Sequence, residues 1–550
     1  MRHIRYDRWI AAFVPLVLLG CASLQATPPP TVRVALADYE RHLAALASDQ
    51  FEGRKPGTAG ERITVDYLSA QFRSLGVGPG NGVSYRQPVP LVEITAASDA
   101  SLSLAGQTLR YPEAAVFWTK RVVPQVAVEN SPLVFVGYGI VAPEYGWNDY
   151  AGVDMRGKTA VILVNDPGFA SGDPALFRGR AMTYYGRWVY KFEEAARQGA
   201  AAALIIHETE PAAYPWQTVQ NSWTGPQLDA ESADGNASRV AIEGWITSEA
   251  ADALLQRAGL SYADAKASAL QREFKPLPLG VAATASLRNG VRRSESANVI
   301  ATIPGARYPN EYIVYMAHWD HFGRSLGRSG DTIFNGAVDN ATGTAALLAI
   351  AAAYQRASAP PDRSVVFMAL TAEEAGLLGS AYYVTNPVLP LAQTVAAFNM
   401  DAIHFGGPTR DVIVVGAGAS ELEAPLERAA ARQSRVLRGE SKPEQGMFYR
   451  SDHFNFAKAG VPSLYIKMGI DDREFGAAWG QAAQEQYTAR DYHQQTDEYR
   501  PGVDLRGGLE NIQLFYEVGA ELANSRQFPN WFEDNEFRAA RDRSRALMTR

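Results

Sequence analysis

The chain has 550 residues, 47% of them hydrophobic and 20% charged, which predicts several folding units and excludes global disorder. Its formal charge of −7 argues against binding by phosphate neutralisation, so no nucleic-acid partner is expected. The single cysteine excludes an intrachain disulfide and any cysteine-rich zinc site.

Arg2, Arg5 and Arg8 precede an apolar run from Trp9 to Gly20. That run has the length of a secretory signal's apolar region and falls short of the roughly 20 residues that a membrane span needs. It ends in Leu18-Leu19-Gly20-Cys21, which resembles a bacterial lipobox. The resemblance implies that residues 1–20 are a signal peptide and that Cys21 becomes a diacylated N-terminus, the chain's attachment to the membrane. Ala22 in place of Asp points, by the same resemblance, to the outer membrane, facing the periplasm or cell surface. An ordinary signal with an incidental cysteine is the alternative. Residues 21–32, containing TPPPT, predict a stiff tether.

Between residues 33 and 95, RVALADYERHLAALAS and GERITVDYLSAQFRSLGV carry apolar residues at helical spacing, with Gly53, Gly57 and Gly60 in the turn between them. From about 96 to 292 short β-like runs such as SPLVFVGYGIV and KTAVILVND predict a separate β-rich module, with one helix, RWVYKFEEAARQG, leading into a strand. The aromatic stretch 210–225 reads as a packing cluster. From 293 to 550 the runs YIVYMA, SVVFMAL, VAAFNM and SLYIKM alternate with helices, the pattern of an α/β sheet covered on both faces. The simplest architecture is one α/β domain, made of the first helices and the last half, with the β-rich module inserted.

The chemistry-bearing residues fall where these strands end: His318-Trp319-Asp320, Asp339-Asn340, Glu373-Glu374, Asp401 and, further on, Tyr492-His493. Ligands bind beyond the carboxyl ends of strands in open α/β sheets, so these side chains can converge although distant in sequence. Two histidines and several carboxylates suit two zinc ions that share a bridging carboxylate. A Glu-Glu pair alone would read as the start of a solvated helix.

HWDHFG, GAVDNATG, TAEEAGLLGS, NMDAI and YHQQTDEY together, in this order, resemble the dizinc exopeptidases of the zinc aminopeptidase and glutamate-carboxypeptidase family. The resemblance spans about 293–525, and the module at 96–292 looks like the protease-associated domain found inside such enzymes. It implies a mixed, mostly parallel sheet sandwiched by helices, two Zn²⁺ per chain and peptide substrates. His318 and Asp401 would hold one zinc, Glu374 and His493 the other, with Asp339 bridging. Glu373 would be the general base for a hydroxide bridging the metals, Asp320 would orient His318, and Tyr492 would steady the oxyanion. A cis peptide at Asp339-Asn340 is also implied.

Arg450 and Asp452, in FYRSDHFNF, are possible substrate contacts, although a structural hydrogen-bonding role is the plainer reading for both and for His321, His404 and His453. A free amino terminus needs an acidic anchor and a carboxylate needs a basic one, so this segment leaves aminopeptidase, the leading expectation, and carboxypeptidase both open. A non-catalytic receptor-like relative and a single-zinc glutaminyl-cyclase-like acyltransferase are the rivals. The complete ligand set counts against both.

Overall fold

The computed structural model describes residues 32–325 and 330–546, so the lipobox and Cys21 lie outside the described residues. Helices α1 (Leu36–Leu46) and α2 (Ala59–Ser74) form as their spacing predicts. The turn between them passes through Gly53 at φ 66°, where a Cβ would stand 2.5 Å from the Gly323 carbonyl oxygen. Only glycine lets this turn press against the loop that follows His318.

The main sheet uses β1 (Arg86–Ala96), the C-terminal half of a long strand described below, and six later strands. Between β1 and the long strand come the strands β2 (Gln125–Phe135) and β3 (Thr159–Leu163), helix α3 (Trp188–Arg197), and strands β4 (Ala202–His207) and β5 (Ile242–Thr247). β2, β3, β4 and β5 pair parallel in that order. This stretch is therefore more than β-rich: α3 is a crossover, which parallel pairing of β3 and β4 requires. Its apolar side chains, among them Phe117, Phe135, Leu204, Ile246 and Leu287, pack around cores of their own. Within it Trp223 stacks on Trp118 at 4.4 Å, so the aromatic stretch does serve packing.

Strand β6 (Leu277–Ile303) runs through both parts, pairing with β2 at its start and with β1 at its end. There follow β7 (Tyr308–His318), α4 (Thr342–Gln355), β8 (Arg363–Leu370), β9 (Thr394–Asn399), β10 (Asp411–Val414), β11 (Val436–Gly439) and β12 (Ser463–Met468). The order across the sheet is β1-β6-β8-β7-β9-β12-β10-β11, with the central four strands parallel and antiparallel pairs on either side. All of β8 and β9, and β7 from Tyr312 onward, are buried on both faces, as their unbroken apolar runs require. α1 and α4 cover one face together with α5 (Arg506–Ala523), while Tyr383 and Phe456 pack on the other. This is the mixed, mostly parallel α/β sandwich expected. Among the described residues no helix is long and apolar enough to cross a membrane.

Candidate metal centre

Parallel register brings the ends of the central strands level. His318 closes β7 opposite Leu370 of β8, and Met316 lies opposite Asn399 of β9. The residues just beyond these ends, Glu373-Glu374 and Asp401, therefore emerge at one edge of the sheet. Asp339 joins them from the loop before α4, next to a cis peptide bond to Asn340. His493 arrives from a loop near the C-terminus.

The side chains converge closely. His318 Nε2 lies 3.2 Å from Asp339 Oδ1 and 3.4 Å from Asp401 Oδ1. His493 Nε2 lies 3.2 Å from Asp339 Oδ2 and 3.3 Å from Glu374 Oε2, yet it is buried and has no hydrogen-bond partner among the described residues. Ligands about 2.0–2.1 Å from a tetrahedral zinc stand about 3.3 Å from each other. The two oxygens of Asp339 thus face two separate pockets, each edged by one imidazole and one further carboxylate. The residues present fit a pair of zinc ions. All five expected ligands, His318, Asp339, Glu374, Asp401 and His493, come together.

The electrostatics match a site built for cations. Burial raises Glu373 well above the ordinary carboxylate range, against the pull of His318 and with the repulsion of Asp401, Asp452 and Asp339. Burial, then Asp339 and Glu373, does the same to Glu374. Asp339 goes the other way: burial opposes its charge, but the adjacent His318 and His493 imidazoles hold it well below the usual value. Burial would lower His318, yet Glu373, Asp339 and Asp401 outweigh it and keep the imidazole well above its ordinary value. Carboxylates crowded out of water need a positive charge among them.

One expected contact is replaced by another. The Asp320 carboxylate does not reach His318: Oδ1 stands 3.8 Å from Nδ1, which lies instead 3.2 Å from the Asp320 carbonyl oxygen. The carboxylate has turned to the backbone of the glutamate pair, accepting hydrogen bonds from Glu373 N at 3.0 Å and Glu374 N at 3.4 Å. Those amides follow the end of β8 and lack a strand partner, so a buried carboxylate satisfies them. Tyr492 stacks on the His493 ring at 3.8 Å and is 43% exposed. Burial, and then the charge of Asp339 and Glu374, push its phenol well up, which keeps the hydroxyl a proton donor.

Asp452 is fully buried, with Oδ1 accepting from Ser380 at 2.5 Å, while Arg450 is exposed. The segment is tied to the end of β9 by Asn399 Nδ2, which donates to Ser451 Oγ at 2.7 Å.

Two participants, Arg54 and Asp497, were missed from the sequence. Arg54, buried to 1% exposure, donates to the carbonyls of Leu46, Trp319, Asn335 and Gly336, and so ties the loop after His318 to the loop before Asp339. Asp497 accepts from Val338 N at 2.9 Å and Asp339 N at 3.0 Å, and burial raises it to about 6. Its place in YHQQTDEY, four residues after His493, was the available signal. Arg187, at the start of α3, is buried with Nε unpartnered. It lies close enough to Arg450 for that charge, after burial, to help push it down to about 10.

Over 144 residues the chain is 32% identical to a mouse protein, Aminopeptidase NAALADL1, a stretch covering 25% of this chain and 18% of the relative. It is 25% identical over 471 residues to Aminopeptidase YwaD of Bacillus subtilis (strain 168), covering 83% of each. A solved structure, an aminopeptidase from Aneurinibacillus sp. strain AM-1, aligns with 90% of this chain and 96% of its own at 22% identity and a TM-score of 0.48. Residues 298–508, which hold the whole constellation from His318 to Asp497, match the model of Peptidase family M28.

Proposed function

We propose that this protein is a zinc-dependent exopeptidase, specifically an aminopeptidase, that hydrolyses peptide bonds with two zinc ions. The observation that carries the proposal is the division of Asp339 between two imidazoles, one oxygen 3.2 Å from His318 and the other 3.2 Å from His493. When bound, the metal pair supplies a polarised scissile carbonyl and a water acidic enough to attack at neutral pH. His318 and Asp401 would hold one ion and Glu374 and His493 the other.

The other non-ligand acids, Asp320, Asp452 and Asp497, are engaged by backbone amides or by Ser380, whereas Glu373 is left over from ligation. Burial and neighbouring carboxylates raise its proton affinity, which suits it to take the proton of the attacking water and pass it to the leaving amine. Asp320, by fixing the backbone of residues 373 and 374, keeps base and ligand pointing to separate tasks. The Tyr492 hydroxyl, beside His493, is a donor toward the oxygen on which charge develops.

A second reading, cleavage next to a free C-terminus, is favoured by one observation: among the described residues neither Arg187 nor Arg450 has a hydrogen-bond or ion-pair partner for its guanidinium. Two such groups suit a carboxylate. The apolar run ending in the chain's only cysteine supports export and lipid attachment at Cys21. The separate cores of residues 102–287 support an inserted protease-associated domain.

Peptides blocked at either end test the proposal. Zinc-dependent release of free residues from C-terminally blocked peptides alone supports an aminopeptidase, release from N-terminally blocked peptides alone supports the second reading, and no release contradicts both.

A further inference from the structure

His321 lies three residues after His318 and belongs to neither imidazole pair, yet its ring is fully buried and its Nδ1 stands 2.6 Å from Glu374 Oε1. Its Nε2 has no hydrogen-bond partner among the described residues, so within them Glu374 is the one side chain hydrogen-bonded to the ring. The ring is held from several directions. Phe322 meets it at 4.8 Å, and its backbone amide donates to the Arg54 carbonyl oxygen at 3.3 Å. Gly336, at φ 53°, leaves it room, since a Cβ there would lie 2.6 Å from the ring's Cγ and Cδ2. Any other residue at 336 would drive the ring off Glu374.

The two carboxylates that face His493 are thereby used differently. Asp339 turns both oxygens to ligand imidazoles. Glu374 has Oε1 engaged by His321 and only Oε2 directed to His493. A carboxylate with one oxygen already hydrogen-bonded is a one-oxygen ligand with fixed orientation, and outer partners of this kind govern metal affinity.

We propose that His321 is a positioning residue: its Nδ1–H holds Glu374 Oε1, so that Glu374 offers Oε2 alone to the metal beside His493. The inference rests on the two-zinc reading above but concerns only how one ligand is held. An Asn side chain can place an amide N–H where the ring carries Nδ1–H, whereas Ala removes the donor without adding bulk.

Zinc-free wild-type, His321→Ala and His321→Asn proteins are titrated with zinc against a chromophoric chelator, and the visible absorption of each cobalt(II)-loaded protein is recorded. The wild type should bind two ions. The Ala variant should still bind two, one of them about 10–100-fold more weakly, with an altered cobalt spectrum, and the Asn variant should recover both affinity and spectrum. Unchanged affinity and spectrum in the Ala variant would overturn the proposal. Loss of one ion outright in both variants would also overturn it, because His321 would then be a ligand itself. A wild type that takes up no zinc contradicts the two-zinc reading as well. One that binds two ions but cleaves no peptide contradicts the peptidase reading and leaves the His321 comparison decisive.

Discussion

Asp497 holds Asp339 by its backbone. One carboxylate oxygen takes the Asp339 amide at 3.0 Å and the other takes Val338 N at 2.9 Å, so the residue that faces both the His318 and His493 imidazoles is set by an acid 158 positions away. Tyr487 adds a hydroxyl donor to the same carboxylate at 3.2 Å. Asp497→Ala leaves two buried amides without acceptors, each costing about 1–3 kcal/mol. The expected outcome is a lower urea midpoint together with weaker zinc retention on dialysis. A variant as stable and as metal-tight as wild type would show that Asp339 is held by other means.

Asp320 does for the glutamate pair what Asp497 does for Asp339. Asp320→Asn keeps the size but turns one acceptor into a donor that faces a backbone N–H. Activity should fall at least about tenfold, the equivalent of about 1.4 kcal/mol in transition-state stabilisation, while elemental analysis still finds both zinc ions. Loss of the zinc beside His318 instead would mean that Asp320 acts mainly on that imidazole.

Glu373→Gln separates proton transfer from ligation. The amide cannot accept the proton, so kcat should drop by about 10²–10⁴-fold, with zinc content and KM little changed. Undiminished kcat would remove Glu373 from the mechanism.

Stability should fall on mild acidification because of His42. Its ring is 1% exposed and bonded to the Tyr67 hydroxyl at 2.7 Å, and burial first, then the Arg41 charge, push its pKa down to about 4. The unfolded chain takes up this proton near pH 6.5 while the folded protein does not until about pH 4. Between those values the unfolded state binds more protons, so the contribution is complete above pH 6.5 and is lost as pH falls toward 4. The urea midpoint of wild type should decrease more from pH 7 to pH 5 than that of His42→Gln. Equal decreases would show that His42 does not titrate this way.

The readable part of the fold was its local part. The runs YIVYMA, SVVFMAL and VAAFNM announced buried parallel strands because burial on both faces forbids polar interruption, and the acids and imidazoles followed at the strand ends. What spacing could not carry was contact between distant segments. Arg54 reads as a surface arginine in a glycine-rich turn, and its four carbonyl partners lie on three different stretches of chain. Asp497 reads as one more acid in a polar loop. The turn of Asp320 toward residues 373 and 374 depends on which amides the end of β8 leaves unpaired, which only the assembled edge decides. The parallel order of β2 to β5 was hidden for the same reason: alternating short strands fit an antiparallel module equally well.

If Asp339 joins two metal pockets, the zinc content of the folded protein will show it. Elemental analysis of protein purified without chelator and dialysed against zinc should find two ions per chain, and Asp339→Asn should lose metal from both pockets. One zinc per chain in the wild type, or an Asp339→Asn protein that keeps two, would mean that Asp339 does not join two metals.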